Sequence, residues 1–258
     1  MRLRYLFLLP ALALRLAHGA ETVQLATYYE YVPWFVPGQP SAGLNARLAS
    51  KLNGMSGGRY HFESVYIPRR RLDVLLQNGK VTMVVPWVHP RFFDDPGRTR
   101  YLWTAGLMDD ESLVVSPRAA PLEYDGPDSL RGKRFGAPSG HRFPDLEPLI
   151  AAGEITRVDV PQIKNALQMI VSNRRLDFTI VDRSTLDALR NDAFMDPALL
   201  HVASRPRTAS YERGMLVPLD KPELYRFLQG AVAALRNDSN WLGPHRRSPE
   251  NRQAPADK

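Results

Sequence analysis

The chain has 258 residues, no cysteine, 44% hydrophobic residues and a formal net charge of +7. A chain without cysteine has no disulfide, thiolate metal site, cysteine nucleophile or lipid-modified N-terminal cysteine, so its stability has to come from packing. Much of its positive charge lies in short clusters such as Arg69-Arg70-Arg71 and Arg246-Arg247. A nucleic-acid partner would ask for a basic stripe interleaved with exposed aromatics, and is not expected.

In chain order, Arg2 and Arg4 precede an apolar run from Tyr5 to Leu14, and small residues follow at Ala17, Gly19 and Ala20. This is the pattern of a cleaved secretory signal over residues 1–20. Arg15 keeps the apolar run below the roughly 20 residues that span a bilayer. The mature chain is therefore expected to be soluble and periplasmic, with about +4 of charge once the three leader arginines are lost.

From residue 22 to 240, β-like runs alternate with helical ones, which predicts an α/β protein. Residues 23–27 read as a strand followed by an aromatic loop, 28–35. Leu44, Leu48 and Leu52 recur at helical spacing after Gly43, and Gly54 ends that helix. Residues 61–67 alternate as a strand, 69–79 form a helix and 81–87 the next strand, so the first unit reads β-α-β-α-β. After a strand at 112–115 and a Pro-rich stretch at 117–129, a similar unit follows. It comprises a strand at 134–137, a helix around Asp145 to Ala152, strands at 156–160 and 176–182, and helices at 165–175 and 184–191, the last capped by Ser184. A strand at 215–219 and a helix from Pro222 close the folded part. Residues 243–258 are polar, without apolar periodicity, and read as a disordered tail.

Six short signatures in this order resemble the extracellular solute-binding proteins of the polar amino-acid type. They are the YVPWF loop, Gly43 with Asn45, the helix ending LLQNG, the segment GRTRYLWTAGLMDDESLVV, the turn LRGKRFGAPSGH, and NRRLDFTIVD. The resemblance implies a type II periplasmic binding protein fold. Lobe 1 would comprise residues 21–114 and 208–242 and lobe 2 residues 115–207, joined by strand crossovers near Leu113–Ser116 and Ala203–Tyr211. It further implies hinge closure on a small polar, amino-acid-like ligand. The partner would be the permease of an ABC importer or, alternatively, a membrane signalling receptor. A monomer without cofactor is expected.

By the same resemblance, Arg98 would grip a ligand carboxylate, with Arg91 and Arg100 as rivals because residues 89–100 exceed the family's usual length. Asp182, at the carboxyl end of its strand, would accept the ligand ammonium. Ser139, Gly140, His141 and Arg142 form a Gly turn read as leading into a helix start, where free N–H groups favour an anion. Tyr31 would pack on the ligand side chain. Trp87, with Pro86, stands where the family has small hydroxyl-bearing residues, and Arg69 where it often has an aromatic wall. The first departure weakens the amino-acid assignment, and the second favours an acidic or larger polar ligand. An enzyme is not expected, because the histidines are scattered and no metal or nucleophile motif occurs. A cyclohexadienyl-type dehydratase on the same fold is the enzymatic alternative, with Glu30 or Asp182 as general acid.

Overall fold

The computed structural model describes residues 19–242 except Lys80, Asn173, Arg174 and residues 191–194. The expected signal sequence (all but residues 19 and 20) and the tail 243–258 lie outside the described residues. Among those described, no helix is long and apolar enough to cross a membrane.

The chain begins as β1 (Glu21–Thr27), α1 (Gly43–Met55), β2 (Tyr60–Tyr66), α2 (Arg69–Gln77) and β3 (Val85–Val88), the predicted β-α-β-α-β order. β1 and β2 pair in parallel, and Val84 bridges to Leu25 on the other side of β1. The apolar run before β3 thus continues the sheet through a single bridge rather than as the longer strand expected from residue 81. Gly43 opens α1 with φ +87°, and a Cβ there would stand 2.7 Å from the Trp34 carbonyl oxygen. Only glycine meets both conditions. Two residues on, Asn45 is fully buried and donates to Leu25 O and Ser64 Oγ, fastening α1 to the sheet.

A 3₁₀ turn, one short strand and one long one come between the predicted units: a turn at Pro90–Phe93, then β4 (Leu102–Trp103) and the ten-residue β5 (Met108–Pro117). Next come β6 (Arg134–Pro138), α3 (Glu147–Ala151), β7 (Thr156–Val160), α4 (Ile163–Val171), β8 (Phe178–Asp182) and α5 (Arg183–Leu189). The chain ends with β9 (Leu200–Val202), the ten-residue β10 (Thr208–Val217) and α6 (Pro222–Asn237). β3, β10, β5, β8, β6 and β7 lie side by side in that order, with β4 on β10 and β9 on β5.

The two long strands carry the architecture. Residues Met108–Ser112 of β5 pair with Thr208–Arg213 of β10. Beyond them, β5 joins β8 and β9, while the other half of β10 joins β3 and β4. Each therefore passes from one unit into the other. The expected crossover segments were legible only as fragments of these strands, because their polar halves, MDDE and TASYER, lack an apolar signature.

The second unit's sheet is covered on both faces, and side chains alternate accordingly. Phe178 and Ile180 join Phe135, Leu146 and Leu149 on one face. Val181 and Leu113 join Ala166, Leu167 and Leu186, from α4 and α5, on the other. This second core is continuous with that of the first unit.

Candidate functional site

A cavity of about 750 Å³ opens where the two units meet. Its walls come from residues just past the carboxyl ends of β1 (Tyr28, Tyr29, Tyr31), β3 (His89, Arg91, Phe92) and β6 (His141, Arg142), and from Asp182 at the end of β8. Open α/β sheets place ligands at such strand ends. Arg69 at the start of α2 and Arg207 to Tyr211 at the start of β10 complete the lining, with Phe143, Ile163 and Ile180 as apolar wall.

Behind the cavity stands Arg213, fully buried, on the crossover strand β10. Its Nε donates to Asp110 Oδ2 at 2.7 Å, and Nη1 donates to Tyr29 Oη at 3.0 Å and to the Trp87 carbonyl oxygen at 2.6 Å. Nη2 pairs with Asp182 Oδ2 at 2.5 Å and donates to Tyr211 Oη at 2.8 Å. All five N–H groups of the guanidinium are thereby engaged. The Trp34 ring lies 4.6 Å from its carbon, a cation–π contact. One side chain thus ties first-unit residues, both crossover strands and the end of β8 together.

Asp182, expected from the sequence to accept a ligand ammonium, lines the cavity but is already engaged by protein groups. Oδ2 faces Arg213, and Oδ1 accepts from Tyr211 Oη at 2.7 Å. Its pKa is raised, by burial first and also by the charge of Asp110, against the opposing pull of Arg213. It does not act as a helix cap, since its side chain makes no cap hydrogen bond to α5. Ser184 lies within that helix rather than ahead of it, and its Oγ donates to Asp110 Oδ2 at 2.6 Å.

Arg98 lies outside the cavity. The segment folds around Asp95, which is buried and accepts from Thr99 N, Arg100 N and Trp103 Nε1. Burial opposes the charge of Asp95, but these bonds outweigh it and hold the carboxyl below the usual carboxylate range. The tight turn puts Arg98 at φ 55°, its N–H bonded to Asp95 O. His89, Arg91 and Phe92 take the cleft face instead. The rival Arg91 is the arginine of this segment that reaches the cavity; Arg100 does not.

Trp87 also leaves the ligand surface. Its ring is fully buried, stacked 5.9 Å from Trp241, and its Nε1 donates to Asn45 Oδ1. Only its carbonyl serves the site, through Arg213. Tyr31, Arg69, His141 and Arg142 do line the cavity, whereas Ser139 lines a smaller adjoining pocket of about 270 Å³. Gly140 lines neither; it sits against Arg69 and Arg70, where a Cβ would come 3.2 Å from Arg70 Cγ. The turn does not open a helix: Ser139 N and His141 N bond to Val160 O and Pro138 O, and α3 starts only at Glu147. The dipole argument for an anion at that turn is thereby lost.

Arg69 is held by Asp73 (Nε to Oδ1, 2.8 Å) and by Phe92 O (Nη2, 2.5 Å), and lies over the rings of Phe93 and Tyr28. The two lining histidines are neutral near pH 7. His89 is lowered to about 4 by burial, then by Arg91, Arg98 and Arg213. His141 is lowered to about 3 by burial, then by Arg69, Arg157 and Arg213. Three contacts join the two units near the cavity: Arg142 Nη1 to Asp94 Oδ2 at 2.7 Å, Gln162 Nε2 to Glu30 Oε2 at 3.4 Å, and Trp34 Nε1 to Thr185 Oγ1 at 3.1 Å. Arg213, Asp110 and these contacts were not singled out in the sequence. An arginine two residues after a tyrosine in a polar strand, YERG, was the available signal.

No family model and no curated protein sequence matches the chain. Solved structures do. An ancestral arginine-binding protein bound to arginine superposes with a TM-score of 0.66 at 15% identity, over 87% of this chain and 96% of that one. A Salmonella typhimurium periplasmic binding protein of high arginine specificity gives 0.62 at 16%, over 86% and 96%. A histidine kinase sensor domain with similarity to periplasmic binding proteins gives 0.65 at 18%, over 86% and 93%. At these identities the likeness establishes architecture, and the chain has the two-lobed α/β fold of type II periplasmic binding proteins.

Proposed function

We propose that this chain is an exported solute-binding protein that closes two lobes around a small polar ligand and presents it to a membrane partner. The observation that carries this reading is the cavity itself, lined from both units, which the Arg142–Asp94, Gln162–Glu30 and Trp34–Thr185 contacts also join. With residues 21–114 and 208–242 as one lobe and 115–207 as the other, each of these contacts joins the lobes, and β5 and β10 are the connections about which they rotate. The amino-acid ligands of the similar structures support a polar solute, and residues 1–20 support delivery to the periplasm.

The partner in this reading is the permease of an ABC importer. The likeness to a sensor domain supports a second reading, in which the same clamp reports occupancy to a membrane signalling protein. The test is a thermal-shift screen of amino acids, polyamines and organic acids on the mature protein. A cleft ligand at 100 times its Kd stabilises by about 2.7 kcal/mol. At least one class should raise the melting temperature by several degrees. A flat response across all three would contradict the proposal.

A further inference from the structure

We propose that the cleft selects a carboxylic acid without an ammonium group, a net anion with an apolar body. This rests on the clamp reading and concerns the same cavity.

An ammonium taken out of water is best compensated by a carboxylate that no protein cation already neutralises. Two carboxylates line the cavity, Asp182 and Asp145. Asp182 gives one oxygen to Arg213 and the other to Tyr211 Oη. Both oxygens of Asp145 are taken by Arg207. A ligand ammonium at either would share an oxygen with a guanidinium that does not deprotonate, and like charges would meet at close range.

The positive side of the cavity, by contrast, keeps unused donors on two arginines. Four arginines line it; Asp145 meets Arg207, Asp94 meets Arg142 and Asp73 meets Arg69, while Arg91 has no ion pair among the described residues. Asp73 and Phe92 O fix the Nε and Nη2 of Arg69, a 7% exposed residue, and leave its Nη1 without a hydrogen bond among the described residues. That amino group is preorganised for an incoming carboxylate oxygen, with its side-chain entropy already lost to the protein. Arg91, exposed at the rim, carries no ion pair or side-chain hydrogen bond among the described residues. His89 and His141 already respond to the cationic field, since nearby arginines add to burial in keeping both neutral. A ligand ammonium would meet the same opposition. Phe143, Ile163 and Ile180 offer the body of the ligand an apolar wall.

The test is calorimetric titration of the full mature chain at pH 7 with two matched pairs: 3-phenylpropionate against phenylalanine, and glutarate against glutamate. Each pair differs only in the α-ammonium. The acid lacking it should bind at least about tenfold more tightly in at least one pair, and its affinity should fall with added salt. Arg91→Gln and Arg69→Lys should each weaken it about tenfold or more. Arg91 is exposed, so its variant keeps the test intact if Arg69→Lys folds poorly. Tighter binding of the amino member, binding of neither member in both pairs, or an acid affinity indifferent to both substitutions overturns the inference. Tight amino-acid binding accompanied by lobe closure would sink the anion inference and leave the clamp standing. Binding without closure would sink the clamp, whichever member binds.

Discussion

Arg213→Met tests the physical centre of the site. Methionine keeps most of the length of the side chain and removes its charge and its five donors. Asp110 and Asp182 would then share a buried network with no counter-charge, and the Trp87 carbonyl would lose its Arg213 donor. Removing one partner of a buried ion pair costs about 3–5 kcal/mol, which in a chain of this size lowers Tm by about 6–20 °C. Asp182→Asn is the informative companion. Burial and Asp110 disfavour the ionised form of Asp182 in the folded state, and the Arg213–Asp110 pair survives its neutralisation. It should cost only about 1 kcal/mol. In the Asp182→Asn background, Arg213→Met should cost less than it does alone, because one of the two stranded charges is already gone. Differential scanning calorimetry of the four proteins of this cycle measures the coupling. An Arg213→Met protein that melts within about 2 °C of wild type would refute the reasoning.

Acid should destabilise the fold through His89 and His141. Their folded pKa values, about 4 and about 3, lie below the ordinary 6.5, so between those limits the unfolded chain binds more protons and stability falls as pH falls. From pH 7 to pH 5 the loss is about 2 kcal/mol or less per histidine, read by urea melts, and replacing His141 by Gln should flatten the slope. Gly43→Ala should cost about 1–3 kcal/mol, since it combines a left-handed backbone with a Cβ 2.7 Å from Trp34 O; a thermal melt checks it. Arg142→Ala removes an ion pair whose side chains are 53% and 56% exposed. It should change the melting temperature little while enlarging the ligand-free scattering radius, because the pair joins the proposed lobes.

Most of the fold was legible because its helices bury one apolar face and its covered strands carry apolar runs. The leucines of α1, the Ala166, Leu167 and Ile170 face of α4, and the continuous apolar run of β8 all mark their elements by spacing alone. Reading failed where pairing rather than pattern decides. β4 and β9 are two and three residues long and exist by virtue of β10 and β5 beside them. The polar halves of β5 and β10 are strands because each hydrogen-bonds to the other.

The site was legible by position and not by charge partner. Tyr31, His141, Arg142 and Asp182, singled out in the sequence, all line one cavity. Which carboxylate meets which guanidinium depends on Arg213 and Asp110, some thirty and seventy residues from Asp182 in sequence and in hydrogen-bond reach only after β5, β8 and β10 pair. Arg98 was misplaced because the loop's register is set by Asp95, whose bonds to Thr99, Arg100 and Trp103 turn the chain outward.

The most direct test of the clamp is small-angle scattering from the mature protein with and without a ligand identified by thermal shift. Two lobes hinged on β5 and β10 predict that the radius of gyration shrinks at saturating ligand and that Arg142→Ala widens the ligand-free form. A radius indifferent both to saturating ligand and to that substitution would contradict closure.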